Sequence, residues 1–378
     1  MPGASHLELL TGNRLVALGA LDAGCRFFSG YPITPSSEIY QTMMGELPAR
    51  GGLALAAPDE ITALAYCVGA SLTGQKAMTA TSGPGWCLMI ETVQYAVMTE
   101  TPVVIAVVQR LGPSTGGATQ GAQGDVLLTQ FCTSGSYTLP VLAPSNSREC
   151  YELTQAAFYW SERLRTPVIL LSDKEVGMTS ESVNLDSLNR RVVVERKPFN
   201  NNSARFCTYA CDCLEEPPDF APVGGTARVV ATGSAHDQEG RLRKNAPEVL
   251  ELLVHLQAKI AAHAEEIALV EEEPCEDADL LVVSYGISAR AARAATRQLR
   301  AEGRRAAFLQ IKSLFPVPKR EIVRAAAGSK RVLVVEENLT GQYASVLEPI
   351  VGSDRLVRVN GIGHMITPGE ILDRVETA

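Results

Sequence analysis

Thr101-Pro102-Val103-Val104-Ile105-Ala106-Val107-Val108, followed directly by Gln109-Arg110-Leu111-Gly112-Pro113-Ser114-Thr115-Gly116-Gly117, decides the fold class. A strand with one wet face alternates apolar and polar residues. This run does not, and near-continuous β-branched sequence marks a strand buried on both faces of a parallel sheet. Thr166-Pro167-Val168-Ile169-Leu170-Leu171-Ser172-Asp173 repeats the pattern. Between and before these runs the period switches. Residues 12–26, 60–74 and 86–99 carry apolar residues at helical spacing, whereas Arg26–Tyr31 and Lys76–Ala80 read as strands. Strands alternating with helices predict an α/β domain built on a parallel sheet flanked by helices.

The second half repeats this logic after a change of character. From about 190 to 226 lie Asn200-Asn201-Asn202-Ser203, three cysteines, Pro217-Pro218 and Gly224-Gly225, a composition that predicts a connection. Strands are expected again at Ala227–Thr232, Asp279–Ser284, Arg305–Ile311 and Arg331–Glu336, with helices over 246–268, 286–302 and 318–327. The sequence therefore divides into a first domain over 1–190, a linker over 191–226 and a second α/β domain over 227–378. A chain of 378 residues accommodates two such cores.

Composition removes several classes of function. The net charge is −8, which supplies no broad positive field for nucleic acid or an anionic membrane. No run approaches the roughly 18 apolar residues of a bilayer span. Met1-Pro2-Gly3 opens no basic-then-apolar leader, so no secretory signal is expected. Nine cysteines, an odd number set mostly in apolar runs (Cys25, Cys67, Cys87, Cys132), point to reduced buried thiols and a cytoplasmic location.

Four segments carry chemistry. In Gly30-Tyr31-Pro32-Ile33-Thr34-Pro35-Ser36-Ser37-Glu38, two prolines stiffen a loop that follows a strand, where parallel sheets bind ligands. Thr34 Oγ is then either a fixed hydrogen-bonding group or simply the N-cap of a helix starting at Pro35. Asp59-Glu60 opens the small-residue helix and either complements its dipole or acts chemically. Ser82-Gly83-Pro84-Gly85 joins strand to helix and can cradle an anion or a ring, although neither GxGxxG nor GxxxxGK[ST] occurs here. Arg110 stands at the carboxyl end of the central strand. Its planar fork suits a carboxylate, the alternative being an internal salt bridge.

Taken in order, these segments resemble the alpha subunit of 2-oxoacid:ferredoxin oxidoreductases, most closely the 2-oxoglutarate type. GYPITPSSEIY, TATSGPG, YAVMTETPVVI, QRLGPSTG, AQGDV and TPVILLSD carry the likeness in the first half, and IKSLFPVP, VVEENLTGQ and ITPGEI carry it in the second. The resemblance implies a pyrimidine-binding domain of the thiamine-diphosphate-binding fold, followed by a domain like the transketolase C-terminal domain. It implies that Glu60 hydrogen-bonds the cofactor's pyrimidine N1′. A carboxyl group there favours the imino tautomer, whose 4′-nitrogen can accept the thiazolium C2 proton. By the same resemblance Pro32, Thr34, Gly83 and Gly85 line the cofactor and substrate, and Arg110 pairs with the substrate carboxylate. Coenzyme A takes the acyl group, and ferredoxin takes the electrons. One departure is visible: Ala57-Pro58-Asp59 precedes Glu60, where relatives usually carry Met-Glu-Asp.

Other parts of such an enzyme are missing from the sequence. No GDG occurs for a diphosphate and its Mg²⁺, and no C-x₂-C-x₂-C run for a [4Fe-4S] cluster. The resemblance implies that a beta subunit supplies both, with a separate gamma subunit, in a heterotetramer or larger assembly. Cys207, Cys211 and Cys213 fall within seven residues and could bind a metal with Cys275. Their spacings match no common zinc or ferredoxin site, so incidental thiols are the expectation. His236 is expected to be structural, and His364 to lie at the surface or in packing. Pyruvate, branched-chain and aryl 2-oxo acids remain alternative substrates. A non-oxidative thiamine-dependent decarboxylase subunit and a non-catalytic interaction subunit remain alternative roles.

Overall fold

The structure, a computed structural model, describes residues 7–200 and 205–377. Met1-Pro2-Gly3 and the Asn201–Ser203 part of the expected linker lie outside the described residues. The strands are β1 (Leu7–Thr11), β2 (Phe27–Gly30), β3 (Leu53–Ala56), β4 (Ala77–Thr81), β5 (Val103–Gln109), β6 (Val141–Leu142), β7 (Pro167–Asp173), β8 (Ser180–Asn184), β9 (Val270–Glu273), β10 (Leu280–Ser284), β11 (Ala306–Ile311), β12 (Ser313–Phe315), β13 (Arg331–Glu336) and β14 (Leu356–Asn360). They form a seven-stranded sheet in the order β12-β6-β7-β5-β4-β2-β3, a five-stranded sheet in the order β14-β13-β10-β11-β9, and the antiparallel pair β1-β8.

The unbroken apolar run becomes the middle of the larger sheet. β5 pairs in parallel with β4 on one side and β7 on the other. All seven of its residues are buried. Val103, Ile105 and Val107 enter one core, while Val104, Ala106 and Val108 enter the other. Each fully buried aliphatic side chain contributes about 1.5–3 kcal/mol, so a sheet covered by helices on both faces needs apolar residues at every position. In the smaller sheet β10, β11, β13 and β14 run parallel and β9 antiparallel.

Three features differ from the sequence reading. Residues 227–232 form no strand: Val230 N–H donates to Thr208 Oγ1 at 3.1 Å and Thr232 N–H to Tyr209 Oη at 3.1 Å, so side chains take the backbone donors that a ladder would have used. The helix expected over 246–268 breaks at His263 into Pro247–Ala262 and Ala264–Ile267. β12 crosses from the second half of the chain to pair antiparallel with β6 at the edge of the first sheet.

The helix Pro247–Ala262 is held to the larger sheet by a buried charge cluster. Lys259 Nζ donates to Glu100 Oε2 at 2.7 Å, and His255 Nε2 lies 3.0 Å from the same oxygen. Burial alone would raise the Glu100 carboxyl, but Lys259 and His255 hold it well below the usual carboxylate range. Burial would likewise lower His255, but hydrogen bonding with Cys211 and Glu100 lifts it to about 9. A raised imidazole stabilises the fold fully below its ordinary value near 6.5, and that contribution is lost as pH rises through about 9. Lys259→Met should lower the unfolding free energy by about 3–5 kcal/mol, because it strands a buried carboxylate. The urea midpoint of the purified chain measures this, and a change below about 1 kcal/mol would mean that His255 compensates Glu100 alone.

Candidate active site

The site is set by where the larger sheet reverses its order. From β2 the chain moves outward to β3, then returns to β4 on the opposite side of β2. Ligands of α/β sheets bind at such a switch, outside the carboxyl ends of the strands. Here the two strands also part early: β2 and β4 pair only at Phe27–Ala77 and Phe28–Met78, although β2 continues to Gly30 and β4 to Thr81. The loop 31–36 and the turn Ser82–Gly85 flank the opening.

Glu60 enters this opening from the helix Glu60–Leu72. Asp59, in an extended conformation, caps that helix by accepting from Thr62 N–H at 2.7 Å. Glu60 is only 6% exposed, yet its carboxylate takes no hydrogen bond from the described residues. Gly85 makes the placement possible. A Cβ there would lie 2.5 Å from Glu60 Oε1 and 2.2 Å from Thr81 Oγ1. A largely buried carboxylate with no protein donor is left to a ligand, a water or a proton. Gly85→Ala should therefore push the carboxylate out of place and weaken binding of the ligand that satisfies it by at least about tenfold, since three sub-3 Å contacts, two of them to Glu60, must be relieved. Unchanged ligand affinity would show that Glu60 reaches its ligand from elsewhere.

Thr34 and Arg110 are brought together, though not as two side chains facing one ligand. Arg110 Nη1 donates to the backbone carbonyl of Thr34 at 2.5 Å and Nη2 to that of Thr115 at 2.9 Å. The guanidinium, 7% exposed, so ties the loop after β2 to the loop after β5. Its Nε is enclosed and has no acceptor. The alternative reading of Thr34 as an N-cap fails, because the helix begins at Ser37. Thr34 is half-buried and Pro32 exposed at the mouth. The internal salt bridge considered for Arg110 does not form among the described residues: the guanidinium donates to two backbone carbonyls instead.

A cleft of ≈ 420 Å³ runs from this point toward the smaller sheet, lined by Gly83, Arg110, Asp125, Leu128, Leu339 and Ile362. Gln123, between the lining residues Ala122 and Gly124, is itself fully buried. Its Nε2 donates to Asp173 Oδ2 at 3.1 Å and Tyr285 O at 3.2 Å, while its Oε1 accepts from Ser288 Oγ and Glu337 N–H, both at 2.8 Å. In the smaller sheet the order reverses between β10 and β13, so Gln123 fills the very crevice that this sheet would offer a ligand. Burial lifts Asp173 to about 8, despite the hydrogen bond from Ile287 N–H. Gln109, Gln123, Asp125 and Asp173 escaped the sequence reading as site residues. The string Gln123-Gly124-Asp125-Val126 was the available signal.

The remaining candidates lie elsewhere. Cys207, Cys211 and Cys213 are free thiols, and among the described residues no three potential metal ligands converge. Cys87, expected to be buried, is exposed at the rim of the cleft because it follows the Gly83–Gly85 turn on the outer side of its helix. His236 packs beneath the Tyr209 ring with centroids 4.1 Å apart, and His364 is exposed beside Glu370 at 2.8 Å. A cavity of ≈ 520 Å³ near Phe199 and Arg228 also contains Arg205 and Arg241, both already paired with Glu239.

Residues 18–255 match the family model described as pyruvate flavodoxin/ferredoxin oxidoreductase, thiamine diphosphate-binding, and residues 278–367 match pyruvate:ferredoxin oxidoreductase core domain II. The chain belongs to the 2-oxoacid:ferredoxin oxidoreductase family. Among curated members, the 2-oxoglutarate synthase subunit KorA of Methanothermobacter marburgensis is 40% identical over 370 residues, 97% of each chain. The ketoisovalerate oxidoreductase subunit VorB of Methanothermobacter thermautotrophicus is 31% identical, again over 97% of each chain. The 2-oxoglutarate:ferredoxin oxidoreductase of Magnetococcus marinus, solved with 2-oxoglutarate, coenzyme A and succinyl-CoA bound, superposes with a TM-score of 0.92 at 30% identity. It covers 99% of this chain, which spans 65% of that longer one. A split-gene transketolase, at 15% identity and a TM-score of 0.55, shares the fold. Both expected fold elements, the thiamine-diphosphate-binding fold and the transketolase-like domain, are those of this oxidoreductase family. No helix among the described residues is long and apolar enough to cross a membrane.

Proposed function

We propose that the chain is the alpha subunit of a thiamine-diphosphate-dependent oxidoreductase. It converts 2-oxoglutarate, coenzyme A and oxidised ferredoxin to succinyl-CoA, carbon dioxide and reduced ferredoxin. The observation that carries this reading is the largely buried Glu60 carboxylate against Gly85, which no described residue donates to, because a pyrimidine ring nitrogen is the kind of group it lacks. The residues present fit the cofactor. Glu60 would hold N1′, and Gly83 and Gly85 would let the ring approach bare backbone. When bound, thiamine diphosphate supplies the electron sink for loss of carbon dioxide. The chain does the rest of the positioning. Arg110 fixes the substrate carboxylate with the donors left over from Thr34 and Thr115, Thr34 and Pro32 wall the mouth, and Leu128, Leu339 and Ile362 exclude water.

The diphosphate end, its Mg²⁺ and the iron–sulfur cluster are assigned to a beta subunit, since this sequence has neither a GDG nor a cluster-binding run. The surface around the opening suits such a partner. Beyond Glu60 its helix carries no charged side chain, and Ile61, Ala65, Tyr66 and Gly69 are exposed along one face, with Leu53 of edge strand β3 beside them. Leu339 extends the apolar rim of the cleft, and Leu88, Phe131 and Met365 are exposed as well. Uncharged patches of this kind on an enzyme mark interfaces. A gamma subunit and a cytoplasmic location complete the reading.

A second substrate class has one observation behind it, the ketoisovalerate relative of nearly equal coverage. Co-expression with its partners and a screen of 2-oxoglutarate, pyruvate and 2-oxoisovalerate for coenzyme A-dependent reduction of a low-potential dye separates these readings. Reduction without coenzyme A, or none with any 2-oxo acid, would overturn the proposal.

A further inference from the structure

The cleft holds a second carboxyl group that the reading above does not use. Asp125 sits where the loop from β5 turns into the short helix Val126–Gln130. Its backbone N–H donates to Gln109 Oε1 at 2.9 Å, and Gln109 Nε2 donates to Asp173 Oδ1 at 3.1 Å, so side chains from two central strands fix it. The carboxylate lies against the bare Cα of Gly83, where a Cβ would come within 2.9 Å of Oδ2 and 3.0 Å of Oδ1. Oδ2 is enclosed and has no hydrogen-bond partner, and Arg110 Nε in the same cleft is in the same condition.

The surroundings of Asp125 are simple. Arg110, at the end of β5, acts on it through its charge without a direct ion pair, and the Cys87 thiol lies on the helix Gly83–Met98. The neutral amides of Asn338 and Gln342, which also line the cleft, are taken up by other backbone and side-chain groups. Burial raises the Cys87 thiol, and Asp125 raises it further, so it stays uncharged at neutral pH. Arg110 is therefore the charge that balances Asp125. A 2-oxo acid brings another carboxylate into the same enclosed space, where two like charges cannot both persist beside one guanidinium.

We propose that Arg110 is shared between two carboxylates: it balances Asp125 before substrate enters, passes to the carboxylate of the incoming 2-oxo acid, and Asp125 takes up one proton from solvent as it does so. The inference rests on Arg110 being the substrate's partner. Burial already lifts Asp125 to about 6, with Arg110 holding it down, and engaging Arg110 elsewhere removes that restraint. The neutral acid then has an O–H to donate into the cleft, so substrate binding weakens as pH rises through the Asp125 value.

Glutarate, which has both carboxylates but no oxo carbon to react, is the probe. Calorimetric titration into the co-purified, thiamine-diphosphate-loaded complex, in two buffers of different ionisation enthalpy, counts protons without turnover. Uptake of about one proton is expected near pH 7.5, with affinity falling roughly 50-fold from about pH 6 to about pH 8. Asp125→Asn, a neutral mimic of the protonated acid, should take up none and bind equally at both ends of that range. Binding of glutarate with no proton uptake, or an unchanged pH slope in Asp125→Asn, overturns the role of Asp125 and leaves Arg110 untouched. Should the variant not assemble, the wild-type proton count decides. No glutarate binding at all overturns the Arg110 reading, and this inference with it.

Discussion

Glu60→Gln should lower turnover of the assembled complex by about 10²- to 10⁴-fold, the range over which a positioned acid–base group acts. The substitution conserves shape, so the packing against Gly85 and Thr81 and the capped start of the helix should survive. What it removes is specific. A carboxyl group hydrogen-bonded to N1′ favours the imino tautomer, and a carboxamide does not. Exchange of the thiazolium C2 proton into deuterium oxide, followed by acid quench and NMR, should slow by a similar factor in the variant. Subunit stoichiometry should not change. The burial of the Glu60 side chain is the reason to expect so large an effect: the residue is 6% exposed, and among the described residues no other donor competes for the carboxylate. Wild-type exchange rates in the variant would remove Glu60 from proton transfer, whatever happened to turnover.

The parts of this site that follow from local rules were legible in the sequence. The run ending at Val108 announced a central parallel strand, and position alone then put Arg110 at its carboxyl end, where ligands bind. Proline spacing announced a stiff loop at 30–36. What local rules do not contain is how one loop uses another. Arg110 spends two donors on backbone carbonyls of separate loops, a contact spanning 76 residues that no spacing encodes. Gln123 plugging the smaller sheet is of the same kind, since its partners lie 50 to more than 200 residues away. Asp125 stood in a string that drew attention in the sequence, but nothing gave its carboxylate a place until Gly83 did. The missing strand over 227–232 shows the converse. Its apolar run was genuine, but Thr208 and Tyr209, some twenty residues earlier, capture the N–H groups.

The smaller sheet gives the division of labour a physical basis. In a parallel sheet the reversal of strand order opens a crevice, and two matter here, one at β2/β4 and one at β10/β13. One is filled from within by Gln123, locked by four hydrogen bonds to Asp173, Tyr285, Ser288 and Glu337. The other is left open between β2 and β4, with an unsatisfied carboxylate at its base and an uncharged helix face at its rim. A chain that closes one crevice and leaves the other bordered by exposed apolar residues offers that opening as the place for the partner subunit proposed above.

Arg110→Ala carries the second large expectation. In the assembled complex it should reduce kcat/KM for 2-oxoglutarate roughly 30- to 5,000-fold, corresponding to the about 2–5 kcal/mol lost when one member of an enclosed, hydrogen-bonded charge pair is truncated. The structure adds a complication that the test must resolve. The guanidinium also holds Thr34 and Thr115 together, so alanine removes a strut as well as a charge. Loss of the strut alone would disturb the loops around the opening and weaken thiamine diphosphate and substrate alike. Loss of the charge raises KM selectively, if the carboxylate is held equally in ground and transition states. Added guanidinium should then restore part of the activity, because the cavity left by the side chain accepts the ion. Arg110→Lys should recover less than the wild-type geometry would suggest, since one ammonium cannot span both carbonyls and still present a flat pair of donors. Equal weakening of cofactor and substrate, with no rescue by guanidinium, would make Arg110 a strut only and move the substrate carboxylate to another cation across the subunit interface.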